Sequence, residues 1–236
     1  MKTIHFDSID STNTYLKNNY LDLENLTFVS ASNQTQGKGR NNRKWDSDGS
    51  NLLFSILIKD NKYFTLTNSI SIISAYTIIE VLKSYGINDL SIKWPNDVFV
   101  KDNKICGILL ESISKENLEC LIIGVGLNVN QDKFDDEYII NPTSMYNILK
   151  TNIDIESLKQ KIYSKFIMNL EKLIEGYDYY NEIIKYDYLQ NKEVYALINS
   201  QKELVKVKGI NSDYSLCVAN DESEFNINAG EISFHI

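Results

Sequence analysis

The sequence predicts an α+β fold, with a large domain of interleaved strands and helices followed by a small all-β domain. Three observations carry this. Two strongly apolar runs, Asn51–Ile58 and Leu118–Val129, have strand length. The second is apolar on both parities up to Gly124, as a central strand buried on both faces would be. Two longer segments, Thr65–Tyr85 and Ile155–Leu173, have helical length and apolar spacing. After Lys192 the pattern changes to short strand candidates with turn residues between them.

The elements follow in order. Lys2–Phe6 reads as a short strand, and Asp10 or Ser11 can cap a helix through Tyr15 and Leu16. Thr27–Ala31 is the next strand. From Ser32 to Ser50 the chain is polar, with Gly37, Gly39 and Gly49 and no apolar period, so it reads as one long loop. Structureless loops of that length usually carry function. Asn51–Ile58 is a strand, and Thr65–Tyr85 a helix stopped by Gly86. Leu90–Lys93 and Val98–Lys101 are strands, Asp102-Asn103 is a hairpin turn signal, and Lys104–Ile113 returns. Leu118–Val129 follows, then the helix Ile155–Leu173 and a Tyr-rich helical stretch to about Leu189. The closing strands are Glu193–Ile198, Leu204–Ile210, Ser215–Ala219, Glu224–Ile227 and Glu231–Phe234, spaced as in a small β-barrel. The domain boundary is expected near Gln190, giving 1–189 and 190–236.

Bulk properties narrow the function. The 236 residues are 43% hydrophobic and 24% charged, ordinary for a globular chain with a sizeable core. A net charge of −8 offers no general attraction to nucleic acid or an anionic membrane, so any phosphate site must be local. Cys106, Cys120 and Cys217 form no C-x-x-C pair. With no secretion signal at the N-terminus, they read as reduced thiols of a cytoplasmic protein. His5 and His235 lie at opposite ends of the chain, and no metal-ligand cluster is visible.

Four stretches can carry chemistry. In Gln34–Trp45, Gly37 and Gly39 let backbone N–H groups approach an anion, and Lys38, Arg40, Arg43 and Lys44 add charge. Arginine can hold a phosphate or carboxylate through two parallel hydrogen bonds, and Trp45 offers a flat face to a base. A solvated basic loop is the plain alternative, and the stretch is not a Walker A loop. In Lys93-Trp94-Pro95-Asn96-Asp97, Asp97 can hold a hydrated Mg²⁺ beside phosphates; alone, the stretch reads better as a tight turn with Trp94 in the core. Lys104 opens an apolar strand and either snorkels or enters a pocket, while Gly107 implies close approach to the backbone. Gly124-Val125-Gly126-Leu127-Asn128 fails the dinucleotide fingerprint, but its glycines leave room for a ligand and Asn128 can read a base edge. There is no G-x-S-x-G elbow and no central histidine to act as a base. Together these suggest nucleotide chemistry without a protein nucleophile.

In this order and spacing, Ser11-Thr12-Asn13, the Gly37–Trp45 loop, Lys93–Val98, Lys104–Glu111 and Gly124–Asn130 resemble the biotin–protein ligase family. The strong motifs run from Ser8 to about Asn130, and Gly230–Ser233 resembles the family's closing strand. The resemblance implies a mixed, mostly antiparallel sheet packed by helices, class II synthetase-like, with a C-terminal SH3-like barrel. It implies two half-reactions. Biotin and ATP give biotinyl-5′-AMP and pyrophosphate, and a lysine of a biotin carboxyl carrier domain then takes the biotinyl group. It implies roles as well. Ser11, Thr12, Asn13 and Gln34 would bind biotin, while Gly37, Lys38, Gly39 and Arg40 would fold over biotin and the phosphate. Lys104 and Arg40 would be catalytic, Lys104 also touching biotin at the carboxyl–phosphate junction. Arg43, Trp45 and Asn128 would bind the nucleotide, and Asp97 would lie near Mg²⁺. Lys38 stands where arginine is common and lacks its two-point fork. Asn41-Asn42 replaces a more basic or Gly-containing pair.

The motifs begin at Ser11, so a ligase without an N-terminal helix-turn-helix is expected, with no DNA or membrane partner and with homodimerisation possible through edge strands. The rivals are a lipoate or octanoate ligase, whose Arg-Arg-x-Ser-Gly-Gly-Gly type loop is absent here, and a non-catalytic biotin- or nucleotide-binding module, which would not need the phosphate cations. Cys106 reads as a small strand residue rather than a nucleophile.

Overall fold

A computed structural model describes residues 2–45, 48–134, 140–198 and 201–228. Its larger sheet holds β1 (Thr3–Ile9), β2 (Phe28–Gln34), β3 (Leu52–Ile58), β4 (Leu90–Lys93), β5 (Asp97–Val100), β6 (Asn103–Ser114) and β7 (Leu118–Leu127). The spatial order is β1-β2-β3-β7-β6-β5-β4. Only β1 and β2 pair in parallel, so the sheet is mixed and mostly antiparallel. Helix α1 (Thr12–Asn19) makes the crossover between them.

Side-chain parity divides the sheet into two faces. Phe28, Phe54, Ile56, Leu121 and Ile123 join the main core under α2 (Thr67–Ser84), behind which packs α4 (Ile155–Ile174). Val29, Leu57, Cys120 and Ile122 face the other way and pack against Leu16 and Tyr20 at α1. Helix α1 is only eight residues long. It covers only the lower rows of that face, and the upper rows hold the site.

The strand order explains why β7 reads as apolar on both parities, since it lies between β3 and β6 with both faces covered. The polar stretch after Ala31 is less irregular than expected. β2 runs on to Gln34, and Arg40–Asn42 forms a 3-10 turn. The β5–β6 hairpin turns at Lys101-Asp102, one residue before the expected dipeptide, with Lys101 at φ 54°. Two short helices, α3 (Met145–Leu149) and α5 (Tyr180–Ile183), are too brief to show a period.

The C-terminal strands β8 (Glu193–Ile198), β9 (Gln201–Ile210), β10 (Leu216–Ala219) and β11 (Glu224–Ile227) form a separate four-stranded antiparallel sheet. The described residues do not close it into a barrel. The expected strand Glu231–Phe234 and the Gly230–Ser233 signature lie outside the described residues. Trp94 ties this sheet to the larger one by donating its indole N–H to the Tyr214 carbonyl, 2.9 Å away. No described helix is long and apolar enough to cross a membrane.

Candidate active site

Cross-strand register builds the floor of the site. Lys93 pairs with Asp97, Asp97 with Gly107, Gly107 with Gly126, Gly126 with Leu53 and Leu53 with Ala31. This row crosses six strands on one face, and its two central members have no side chain. The next row is Leu109, Gly124, Ser55 and Val29. Three glycines in adjacent rows thus open a trough in a sheet otherwise studded with large side chains. The trough is part of a cavity of about 350 Å³. Every site residue expected from the sequence lines it except Gly37.

One end of the cavity is neutral and polar. Ser11 caps α1, and its hydroxyl accepts from the Thr14 N–H. The N–H and hydroxyl of Thr12 both donate to Gln34 Oε1, at 2.7 and 3.1 Å. This fixes the Gln34 amide and leaves its Nε2 hydrogens unused among the described residues. Ser55 bonds Thr12 Oγ1 at 2.6 Å and Asn13 Oδ1 at 2.5 Å, and Asn13 Nδ2 donates to Glu111 at 2.7 Å. Glu111 is in turn ion-paired with Lys17 at 2.5 Å. Asn13 occupies the space that a side chain at position 124 would need, for a Cβ on Gly124 would fall 2.3 Å from Asn13 Oδ1.

The other end is cationic. Among the described residues, Lys38, Arg40, Arg43, Lys44, Lys93 and Lys104 line the cavity, against one carboxylate, Asp97. In a chain of net charge −8, that concentration of positive charge marks the place of a polyanion. Lys104 pairs with Asp97 at 2.8 Å, and Arg40 donates to Asn96 Oδ1 at 3.3 Å. Burial pulls the Arg40 pKa below its usual value; nearby Asp97 opposes this and Arg43 adds to it. Arginine nonetheless stays charged at any physiological pH.

The Gly37–Trp45 segment folds back on itself. Trp45 N–H donates to the Gly37 carbonyl at 2.9 Å and Gly39 N–H to the Arg43 carbonyl at 2.7 Å, around a left-handed Asn41 at φ 55°. Asparagine tolerates that conformation better than most residues. Gly37 serves this turn rather than the cavity, since a Cβ there would meet the Trp45 carbonyl at 2.6 Å. The Trp45 indole lies on the backbone of Gly107 and Gly126, which is the close approach the two glycines permit. Its Nε1–H is buried without a hydrogen-bond partner among the described residues, and Lys104 Nζ sits 5.3 Å from the ring centroid. Asn128 holds the far wall, donating its amide to the Thr143 carbonyl at 2.9 Å.

A profile of the biotin/lipoate A/B protein ligase family matches residues 5–128, more than half of the chain. The chain belongs to this family. Among its relatives, the bifunctional ligase/repressor BirA of Escherichia coli is 28% identical over 217 residues, covering 90% of this chain and 68% of the relative. The biotin–protein ligase of Schizosaccharomyces pombe is 28% identical over 256 residues, covering 92% of this chain and 38% of that one. Among solved structures, the biotin protein ligase from Aquifex aeolicus in complex with biotin and ATP superposes with a TM-score of 0.88 at 28% identity, covering 99% of this chain and 98% of that one.

Within this member of the biotin/lipoate ligase family, the structure adds residues that the motifs did not assign. Ser55 could have been suspected as the only polar residue of an apolar strand, and Glu111 as the only acidic residue of another. Pro142 bridges to Lys104 and lines the cavity, but nothing local in the sequence ties it there. The turn reading of 94–96 holds, with Trp94 buried; the same turn also aims Asn96 and Asp97 into the cavity. Cys106 is fully buried behind the floor, and burial pushes its thiol pKa far up, as suits a small strand residue rather than a nucleophile.

Proposed function

We propose that this chain is an ATP-dependent biotin–protein ligase. The observation that carries the reading is the single trough that joins a neutral hydrogen-bonding pocket to a cluster of six cations across a glycine floor. A neutral, polar head group with a carboxylate tail suits the first end, and a triphosphate suits the second. In the first half-reaction a biotin carboxylate oxygen attacks the α-phosphorus of ATP, the bond to the β-phosphate oxygen breaks, and pyrophosphate leaves. In the second, a lysine amine of a biotin carboxyl carrier domain attacks the carbonyl of biotinyl-5′-AMP, and AMP leaves. Both nucleophiles are substrates, so the protein's part is positioning and charge stabilisation. The neutral end — Ser11, Thr12, Asn13 and Gln34 — holds the biotin head. Lys38, Gly39 and Arg40 cover the junction, with Gly37 shaping their turn, and there Lys104 and Arg40 offset developing charge. Arg43 meets the triphosphate, Trp45 the adenine, and Asn128 the adenine side.

Mg²⁺ enters as the metal of the nucleotide. No described group of three His, Cys, Asp or Glu side chains could hold a resident ion. Asp97, the one carboxylate among the described lining residues, fits an ion carried mainly by phosphates and water. The division into 1–189 and 190–236, with the second part an SH3-like barrel, belongs to the same reading. So do a cytoplasmic location, in which three buried thiols stay reduced, and a net charge that disfavours DNA. Strand β1 lies at a sheet edge, where a second copy can pair to form a homodimer.

The decisive measurement is ATP–pyrophosphate exchange with biotin, with lipoate, and with neither. Exchange is expected with biotin alone. Exchange with lipoate instead would move the chain to the other branch of its family, and a folded protein silent with both would leave only a binding module. Amide hydrogen exchange across Gly37–Trp45 is expected to slow when biotin and ATP are added together, as the segment orders over the adenylate. Unchanged protection there would remove the covering role of this loop.

A further inference from the structure

We propose that Glu111 is a positioning residue that makes the neutral pocket select a ligand bearing an N–H, by fixing the direction of the pocket's hydrogen bonds. This rests on the ligase reading above and deepens it, from a biotin site to the origin of its selectivity. Glu111 pairs with Ile122 on the face of the sheet that α1 covers, and it does not line the cavity. Asn13 and Lys17 stand one turn apart on α1, and both reach its carboxylate, at 2.7 and 2.5 Å. A carboxylate can only accept. The Asn13 amide must therefore turn Nδ2 towards Glu111 and Oδ1 towards Ser55.

The other end of this chain of contacts is fixed as well. The Thr12 backbone N–H donates to Gln34 Oε1 at 2.7 Å, so that atom is an acceptor too. Between the two acceptors lie two hydroxyls and three contacts. Asn13 Oδ1 meets Ser55 at 2.5 Å, Ser55 meets Thr12 at 2.6 Å, and Thr12 meets Gln34 Oε1 at 3.1 Å. Each hydroxyl carries one proton. Two protons cannot serve three contacts, and among the described residues no donor besides the Thr12 N–H reaches these oxygens. One pair of oxygens therefore always faces without a hydrogen. A ligand can mend this where the chain of contacts opens on the cavity, at Thr12 and Gln34. An N–H donated to Gln34 Oε1 would replace the Thr12 hydroxyl there, and the Thr12 proton would turn to Ser55. A ureido head group brings such an N–H. If the Asn13 amide were reversed, Nδ2 would donate to Ser55, Ser55 to Thr12 and Thr12 to Gln34. All three contacts would then be filled without a ligand, and Glu111 forbids that reversal.

The test is calorimetric titration, without ATP, with biotin and with biotin methylated on one or the other ureido nitrogen. Glu111→Gln can donate to Asn13 while its oxygen keeps Lys17, and so permits the reversal. It should bind biotin roughly three- to tenfold more weakly, the worth of one neutral hydrogen bond. The preference for biotin over one of the methylated forms should shrink by the same factor, since the steric cost of the methyl is common to both proteins. Ser55→Ala leaves one proton for one contact, so its preference should shrink too, and it carries the test should Glu111→Gln fail to fold. Lys17→Met keeps the acceptor and should keep the preference. A folded Glu111→Gln or Ser55→Ala with the wild-type preference would overturn the assignment, even if it bound every form more weakly, as a merely structural role predicts. So would a wild type indifferent to methylation of either nitrogen. Wild-type protein that binds biotin but shows no biotin-dependent ATP–pyrophosphate exchange would sink the ligase reading, and the preference would still decide the role of Glu111. Wild-type protein that binds no biotin would end both.

Discussion

Lys104→Ala is expected to slow biotinyl-adenylate formation by on the order of a hundred- to a thousandfold, the usual cost of removing one preorganised charge-stabilising donor. The ammonium lies at the cavity floor, three-quarters buried, where water screens it poorly. The variant loses more than an attraction. Asp97, now paired with Lys104 at 2.8 Å, would be left facing the incoming phosphates as an uncompensated anion. The fold should survive, because Lys104 serves it through its backbone. Its N–H donates to the Asn141 carbonyl and its carbonyl accepts from Thr143, both at 2.9 Å, and neither bond needs the side chain. Single-turnover formation of biotinyl-AMP, with circular dichroism as the folding control, checks this. Adenylation at the wild-type rate would strip Lys104 of its catalytic role. The double variant Lys104→Ala, Asp97→Asn should recover part of the loss if repulsion from Asp97 contributes.

Gly124→Ala is expected to weaken biotin binding at least about tenfold and to cost roughly 2–4 kcal/mol of stability, combining overpacking with the loss of buried hydrogen bonds. The new methyl would fall 2.3 Å from Asn13 Oδ1 and 2.9 Å from Asn13 Cγ. Asn13 cannot simply swing aside. Ser55 holds its oxygen and Glu111 accepts from its nitrogen, and the residue is 5% exposed. Moving it would disturb Thr12 through Ser55, and through Thr12 the orientation of the Gln34 amide. Thermal unfolding and biotin titration would read the two effects together. Unchanged affinity in a folded variant would show that the network from Glu111 to Gln34 does not set the biotin pocket.

Much of the site was legible in the sequence because its parts are local. Gly37–Trp45 is one continuous segment, and the 94–96 turn is set by its own residues. Positions 107, 124 and 126 stand out because glycine in a strand interior has a cost that only close approach offsets. The identity of what approaches was not legible. Gly124 makes room for Asn13 and Gly126 for Trp45, each a contact between segments far apart in the chain. Gly37 illustrates the limit from the other side, since within the same motif its neighbours face the cavity while it accommodates the Trp45 carbonyl.

The sequence by itself determined the order of strands and helices along the chain, the apolar character of β3 and β7, and the charge and hydrogen-bonding types available to a ligand. Periodicity and residue chemistry are properties of short windows, so one sequence carries them. The tertiary structure alone decided that Lys93, Asp97, Gly107 and Gly126 share one row. It also placed α1 so as to cover only part of the sheet face, and it paired Asp97 of the cavity floor with Lys104. Cross-strand register joins residues dozens of positions apart, and a shift of one residue would turn each side chain to the opposite face. Which charges meet therefore follows from packing the whole sheet, and no single segment encodes it.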